Sequence, residues 1–226
     1  MKVPILILGY ERSGTTLLRR LVSMHPNLEY ELIHERFDIL LSCKSRKDAY
    51  RKLTYPATQA GKKTGSIMSV KAGQKIPYLD STKAKQSINK FEKLFGKFYI
   101  IHIVRNPIDV ISSQIKTFNR KIKKCVNNYN ESVVKIRKYV KSKGGIEIAF
   151  EDLVSNATVK VNKLYRWMGD FDKNDEYIQK VIATRDPWIY DGRIMPGLRY
   201  FDSIQNNKSK NILNKKQIAF IGNNIK

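Results

Sequence analysis

The sequence predicts an α/β fold: a central parallel sheet of about four or five strands, helices on both faces, and a ligand site at the carboxyl ends of the strands. Three observations carry that prediction. Val3 to Leu8 is a nearly continuous apolar run, and so is Phe98 to Val104, the pattern of strands buried on both faces. Each run ends in a short polar loop that opens a helix. The 226 residues suit one domain, residues 1–226, with a sizeable core, and no apolar stretch reaches the length of a membrane span.

The first strand tolerates Pro4 only because it lies near the start. After it, Gly9 and Gly14 bracket a tight loop, Gly9-Tyr10-Glu11-Arg12-Ser13-Gly14, whose backbone N–H groups can converge on an anion. Thr15, Thr16, Leu17, Leu18, Leu21 and Val22 then continue at helical spacing, so the loop amides and the positive end of the helix dipole point at one place. The spacing Gly9-x-x-x-x-Gly14 before Thr15-Thr16 matches a Walker loop, except that Thr15 stands where lysine belongs. Arg12, inside the loop, replaces that cation. The expected architecture is a three-layer P-loop-like sandwich.

The second run ends in Arg105-Asn106-Pro107-Ile108-Asp109. Asn106 suits the N-cap, Pro107 the first helical position and Asp109 the first turn, so a helix starts at the strand's end. Arg105 then lies at the strand tip and Ser113 about two turns into the helix. From Lys116 to Lys143 only Glu131 opposes a run of lysines and arginines. The same segment carries Ile115, Phe118, Ile122, Tyr129, Val133, Ile136, Tyr139 and Val140 at mostly helical intervals, which gives helices with one core face and one cationic face.

These motifs resemble the sulfotransferases that use 3′-phosphoadenosine 5′-phosphosulfate (PAPS). Their first motif is often written Arg-Ser-Gly-Thr-Thr, here Arg12 to Thr16. The resemblance implies that Arg12, Ser13, Gly14, Thr15 and Thr16 hold the 5′-phosphate and sulfate, and that Arg105 and Ser113, eight positions apart, grip the 3′-phosphate. Arginine suits that task because its fork binds phosphate oxygens in pairs. Lys75-Ile76-Pro77 resembles the Lys-x-Pro after the second strand, whose lysine reaches the transferring group. Phe150-Glu151-Asp152-Leu153 resembles the family's Tyr-Glu-Asp-Leu strand end, with Phe150 lacking the usual hydroxyl. Leu213 to Ile218 resembles a closing helix, whereas the basic loop before it matches poorly: Ser203, Lys208 or Lys210 touch the cofactor, or none does.

The implied activity is sulfuryl transfer from PAPS to a hydroxyl acceptor on a glycan, a protein tyrosine or a small alcohol, with 3′,5′-adenosine bisphosphate (PAP) as product. Sulfuryl carries less negative charge than phosphoryl, so protein cations can do the work of magnesium and no metal is expected. Arg12 acts as an electrostatic clamp, and Lys75 clamps and donates a proton to the leaving oxygen. The general base remains open among Glu31, His34 and Glu35, of which Glu31 matches the family best if two residues are missing upstream. Tyr30 to Lys63 and Trp188 to Asn207 are expected to frame the acceptor cleft, with Trp188, Tyr190 and Tyr200 stacking on a sugar or filling the core.

A formal net charge of +23 exceeds what one nucleotide needs. It suits a solvated surface or attraction of an anionic acceptor. Charge alone also admits a basic nucleic-acid-binding module, but no helix-turn-helix, zinc spacing or aromatic ribonucleoprotein motif accompanies it. A P-loop kinase is the other rival, and it would need a substitute for the missing lysine and a carboxylate for magnesium. Cys43 and Cys125 are too few for a disulfide framework, which points to a reducing cytoplasm.

Overall fold

The computed structural model describes residues 5–23, 37–53, 67–72, 82–169, 188–190, 193–195 and 212–225. Its apolar runs form four parallel strands: β1 (Ile5–Tyr10), β2 (Ile67–Ala72), β3 (Tyr99–Val104) and β4 (Ile146–Ala149), in the order β2-β1-β3-β4. The helices between them are α1 (Thr15–Ser23), α2 (Phe37–Ser42), α3 (Arg46–Leu53), α4 (Thr82–Phe95), α5 (Pro107–Phe118) and α6 (Ile122–Ser142). After β4 come α7 (Phe150–Ser155), α8 (Ala157–Trp167), a short antiparallel hairpin of β5 (Trp188–Tyr190) and β6 (Arg193–Met195), and α9 (Lys215–Asn224).

All six residues of β1 are buried, although alternate side chains point to opposite faces, so both faces of the sheet are covered. The register identifies the layers. Gly9 pairs with Ile103 and faces Thr15 of α1, whereas Tyr10 meets Tyr129 of α6 edge to face, with centroids 5.5 Å apart. On the α1 side, Tyr165 of α8 donates to the Leu21 carbonyl at 2.9 Å and ties the two helices together.

On the α6 side lies a polar triad that the sequence did not announce. His102 of β3 and Glu147 of β4 are register partners, and Nδ1 of the fully buried ring is 2.9 Å from Glu147 Oε2. A carboxylate only accepts, so Nδ1 carries the hydrogen, and burial lowers the His102 pKa from its usual value, which favours the neutral ring. The His102 hydrogen bond and then Arg137 of α6, whose guanidinium makes two bonds to Glu147 at 2.8 and 2.9 Å, bring the Glu147 carboxyl down to about 2.

The expected strand and loop boundaries shift. Val3 and Pro4 lie outside the described residues, and β1 runs two residues further than expected, through Gly9 and Tyr10. Gly9 is therefore strand, not loop, because it still pairs with Lys71 on one side and Ile103 on the other. A side chain there would have its Cβ 2.7 Å from Thr15 Cγ2 and 2.8 Å from Ile103 Cγ2, so glycine is what lets α1 pack onto the sheet. Of the two segments expected to frame the acceptor cleft, Tyr30 to Lys63 contains α2 and α3, and Trp188 to Asn207 contains the β5–β6 hairpin.

α9 starts with a reciprocal cap, in which Asn214 and Gln217 each accept the other's backbone N–H at 2.9 Å. Its Ile221, with Leu213 before it, packs on Ile111 of α5 and on Cys125 and Val126 of α6, a second core beside the main one. Among the described residues no helix is long and apolar enough to cross a membrane.

Candidate active site

The strand order creates the site. The chain leaves β1 toward β2 on one side and leaves β3 toward β4 on the other, so the loops after β1 and β3 part above adjacent strands and leave a crevice. The β1 loop and the β3 tip, 90 residues apart in sequence, therefore face each other.

In the β1 loop, Ser13 N–H donates to the Tyr10 carbonyl at 3.0 Å, closing a tight turn. That bond engages the Ser13 amide. The Leu18 N–H to Gly14 carbonyl bond at 3.0 Å opens the helical bonding of α1, so the N–H groups of Thr15 and Thr16 stand ahead of it. The Ser13 hydroxyl is buried and has no hydrogen-bond partner among the described residues. Arg12 and Gly14 both take positive φ, 75° and 97°. For Arg12 this costs about 1–2 kcal/mol, which the surrounding contacts must offset. For Gly14 a side chain is excluded twice, by φ and by the Phe150 ring 2.4 Å from where a Cβ would sit.

At the β3 tip, Asn106 caps α5 as expected, its side chain accepting from Ile108 N–H at 2.9 Å. Arg105 is stacked over the Phe150 ring, 4.3 Å from its centroid, and paired with Asp109 at 3.6 Å. Its carbonyl accepts from the Tyr129 hydroxyl at 2.8 Å, and the next amide, Asn106 N–H, donates to Glu151 at 2.8 Å. Burial lowers the Arg105 pKa, Asp109 and Glu151 oppose that, and the neighbouring Arg12 charge lowers it again. Arg105 Nε is buried with no partner among the described residues.

A hydrogen bond joins Arg12 to α5: the exposed guanidinium donates through Nε to the Ser113 hydroxyl at 2.8 Å. The structure thus brings Arg12, Ser13, Gly14, Thr15, Arg105 and Ser113 together, with Thr16 in the first turn of α1. Lys75, Glu31, His34 and Glu35 lie outside the described residues, as do Tyr200, Ser203, Lys208 and Lys210.

Two features of the site escaped the sequence reading. Phe150 read as a loss, a tyrosine without its hydroxyl, yet its ring is the floor under Arg105 and the wall against Gly14. Glu11 in an anion-binding loop was a signal that a counter-cation must exist, and Arg120 is that cation, 2.9 Å away. With two guanidiniums adjoining one crevice, helix amides below them and two polar atoms without partners, the site fits a polyanionic ligand carrying phosphates at two positions.

Comparison with known proteins agrees. The model of the sulfotransferase domain family matches residues 2–185. The fold is similar to that of the sulfotransferase domain from the curacin biosynthetic pathway, with a TM-score of 0.59 and 14% identity over 99% of this chain and 97% of that one. It is similar also to mouse sulfotransferase SULT7A1 complexed with PAP (TM-score 0.61, 14% identity, 99% of this chain and 82% of that one). The sulfotransferase domain of the Synechococcus PCC 7002 olefin synthase gives a TM-score of 0.60 at 18% identity, covering 99% and 95%. No curated protein sequence matches the chain. The family match, over a parallel sheet with Arg12, Ser113 and Arg105 gathered at its carboxyl edge, places this chain in the sulfotransferase domain family, as a transferase.

Proposed function

We propose that this sulfotransferase takes its sulfuryl group from PAPS and transfers it to a hydroxyl acceptor, acting as a single domain over residues 1–226. The observation that carries the donor assignment is the Arg12–Ser113 bond at 2.8 Å, with Arg105 beside it. It sets two cations and a serine at the divide between β1 and β3, where a nucleotide phosphorylated at both 3′ and 5′ ends needs them. The PAP-bound mouse structure of similar fold supports the same cosubstrate.

Each residue then has a task. The Thr15 and Thr16 amides at the start of α1 receive the 5′-phosphate, and the unpartnered Ser13 hydroxyl donates to it. Arg105, preoriented by Phe150 and Asp109, takes the 3′-phosphate. Ser113 accepts from Arg12 and keeps its own O–H free to donate to the same phosphate. Arg12 keeps both terminal nitrogens for the charge that develops during transfer.

In the reaction the acceptor oxygen bonds to sulfur as the bond to the bridging phosphate oxygen breaks. Negative charge grows on that bridging oxygen, where Arg12 stabilises it and Lys75 donates a proton, while Glu31, His34 or Glu35 takes the proton of the attacking hydroxyl. The charge of +23 favours an acceptor that is itself anionic, such as an acidic glycan or peptide. Cys43 and Cys125, both buried and neither in a disulfide, suit a reducing compartment such as the cytoplasm.

Isothermal calorimetry without magnesium tests the donor assignment, comparing PAP with 5′-AMP and ATP on the wild type and on Arg105→Ala. Micromolar binding that needs the 3′-phosphate and is lost in the variant is the expected result. Equal affinity for all three nucleotides, or a requirement for magnesium with ATP, would sink it and favour the kinase reading.

A further inference from the structure

Glu11 raises an electrostatic problem. It stands next to Arg12 in the loop assigned to the phosphates, and consecutive residues lie about 3.8 Å apart along the chain. A free carboxylate there would repel the nucleotide and cancel much of Arg12's charge. The chain answers with Arg120, just beyond the end of α5, whose Nη1 lies 2.9 Å from Glu11 Oε2. Both side chains are largely buried, 14% and 11% exposed, so solvent screens the pair little. The Arg120 guanidinium also stacks on Phe118, 4.3 Å from the ring centroid, which fixes its position.

The pair belongs to a longer seam. Tyr10 donates its hydroxyl to Gln114 Oε1 at 3.3 Å, and Gln114 Nε2 donates to the Glu11 carbonyl at 3.4 Å. Arg12 donates to Ser113 at 2.8 Å. Three consecutive residues of the β1 edge, Tyr10, Glu11 and Arg12, are thus each fastened to α5 or the residue just after it. This seam also holds Arg12 at its positive φ, a conformation that an arginine in a free loop would leave.

We propose that Glu11 and Arg120 form a built-in charge compensator that keeps the nucleotide loop electropositive beside Arg12. Arg120 is a positioning residue: it acts through Glu11 and touches no reacting atom. The inference rests on the PAPS reading of the site.

Calorimetry with PAP at low and high salt separates the two. If the wild type does not distinguish PAP from 5′-AMP, the donor reading itself fails, whatever Arg120 does. If it does, Arg120→Met, which keeps the apolar stem, should weaken PAP binding about five- to tenfold at low salt, with a smaller loss at 1 M salt, where the Debye length is about 3 Å. Adding Glu11→Gln to that variant should restore affinity to within about twofold of Glu11→Gln alone, and Arg120→Lys should retain most of it. Glu11→Gln alone, the variant gentlest on the fold, should bind PAP as tightly as the wild type or more tightly. Unchanged binding in Arg120→Met, failure of Glu11→Gln to rescue it, or weaker binding in Glu11→Gln alone would each overturn the proposal.

Discussion

The two arginines of the site are held in opposite ways. Arg12 is exposed, sits at a φ of 75°, and is steered by one neutral hydrogen bond to Ser113. Arg105 is half-buried at a strand end, stacked on Phe150, paired with Asp109, and anchored through its carbonyl by Tyr129. A preorganised cation suits the part of a ligand that does not change during reaction, whereas a cation with free nitrogens suits the place where charge develops. The contrast therefore matches a division of labour between a nucleotide anchor at β3 and a transfer end at β1.

The most damaging way to break that contrast is to disturb the Phe150 ring that packs against both Gly14 and Arg105. Gly14→Ala forces a side chain into positive φ and against the Phe150 ring, so it should cost about 2–4 kcal/mol of stability in denaturant unfolding and abolish PAP binding. Arg105→Ala should leave the fold intact, by circular dichroism, but weaken PAP about 100-fold, since a charged phosphate contact is lost and Asp109 is left facing it.

Smaller changes sharpen the contrast. Phe150→Leu removes the stack under Arg105 and should weaken PAP about three- to tenfold in the same titration while leaving 5′-AMP nearly unaffected. Ser113→Ala frees Arg12 and removes a donor to the 3′-phosphate, so both turnover and PAP affinity should fall. About 1 kcal/mol, or fivefold, is expected from the Arg12 bond.

The smallest effect at neutral pH concerns the layer beneath β3. His102 is held below 6.5 and Glu147 at about 2, against 4.5 for a free carboxyl. Both folded-state pKa values are depressed, so the unfolded chain binds more protons in each window and stability rises with pH. The melting temperature should be flat above about pH 7, fall below 6.5 as unfolded His102 protonates, and fall further between 4.5 and 2 as Glu147 is lost. His102→Gln should remove the first limb and shrink the second, since His102 is the leading cause of the lowered Glu147 pKa.

Why some of this was legible in the sequence and some was not follows from range. Local rules placed β1, β3, the Asn106 cap and the anion loop, because apolar runs, capping residues and glycine spacing act within a few positions. Gly9 defied its own local reading, since only its neighbours across the sheet, Lys71 and Ile103, hold it in a strand. The Arg12–Ser113, Glu11–Arg120 and His102–Glu147 contacts span 101, 109 and 45 residues, and no local rule reaches that far. Phe150 was misjudged for the same reason: its worth lies in Arg105 and Gly14, which the topology alone brings to it.

The central claim is that Arg105 and Ser113 anchor a 3′-phosphate while the start of α1 and Arg12 hold the 5′ end. A crystal structure of the protein with PAP tests this most directly. The 3′-phosphate should lie within hydrogen-bond distance of the Arg105 guanidinium and Ser113 hydroxyl, and the 5′-phosphate on the Thr15 and Thr16 amides. A nucleotide lying in the reverse direction, or bound away from the divide between β1 and β3, would contradict it.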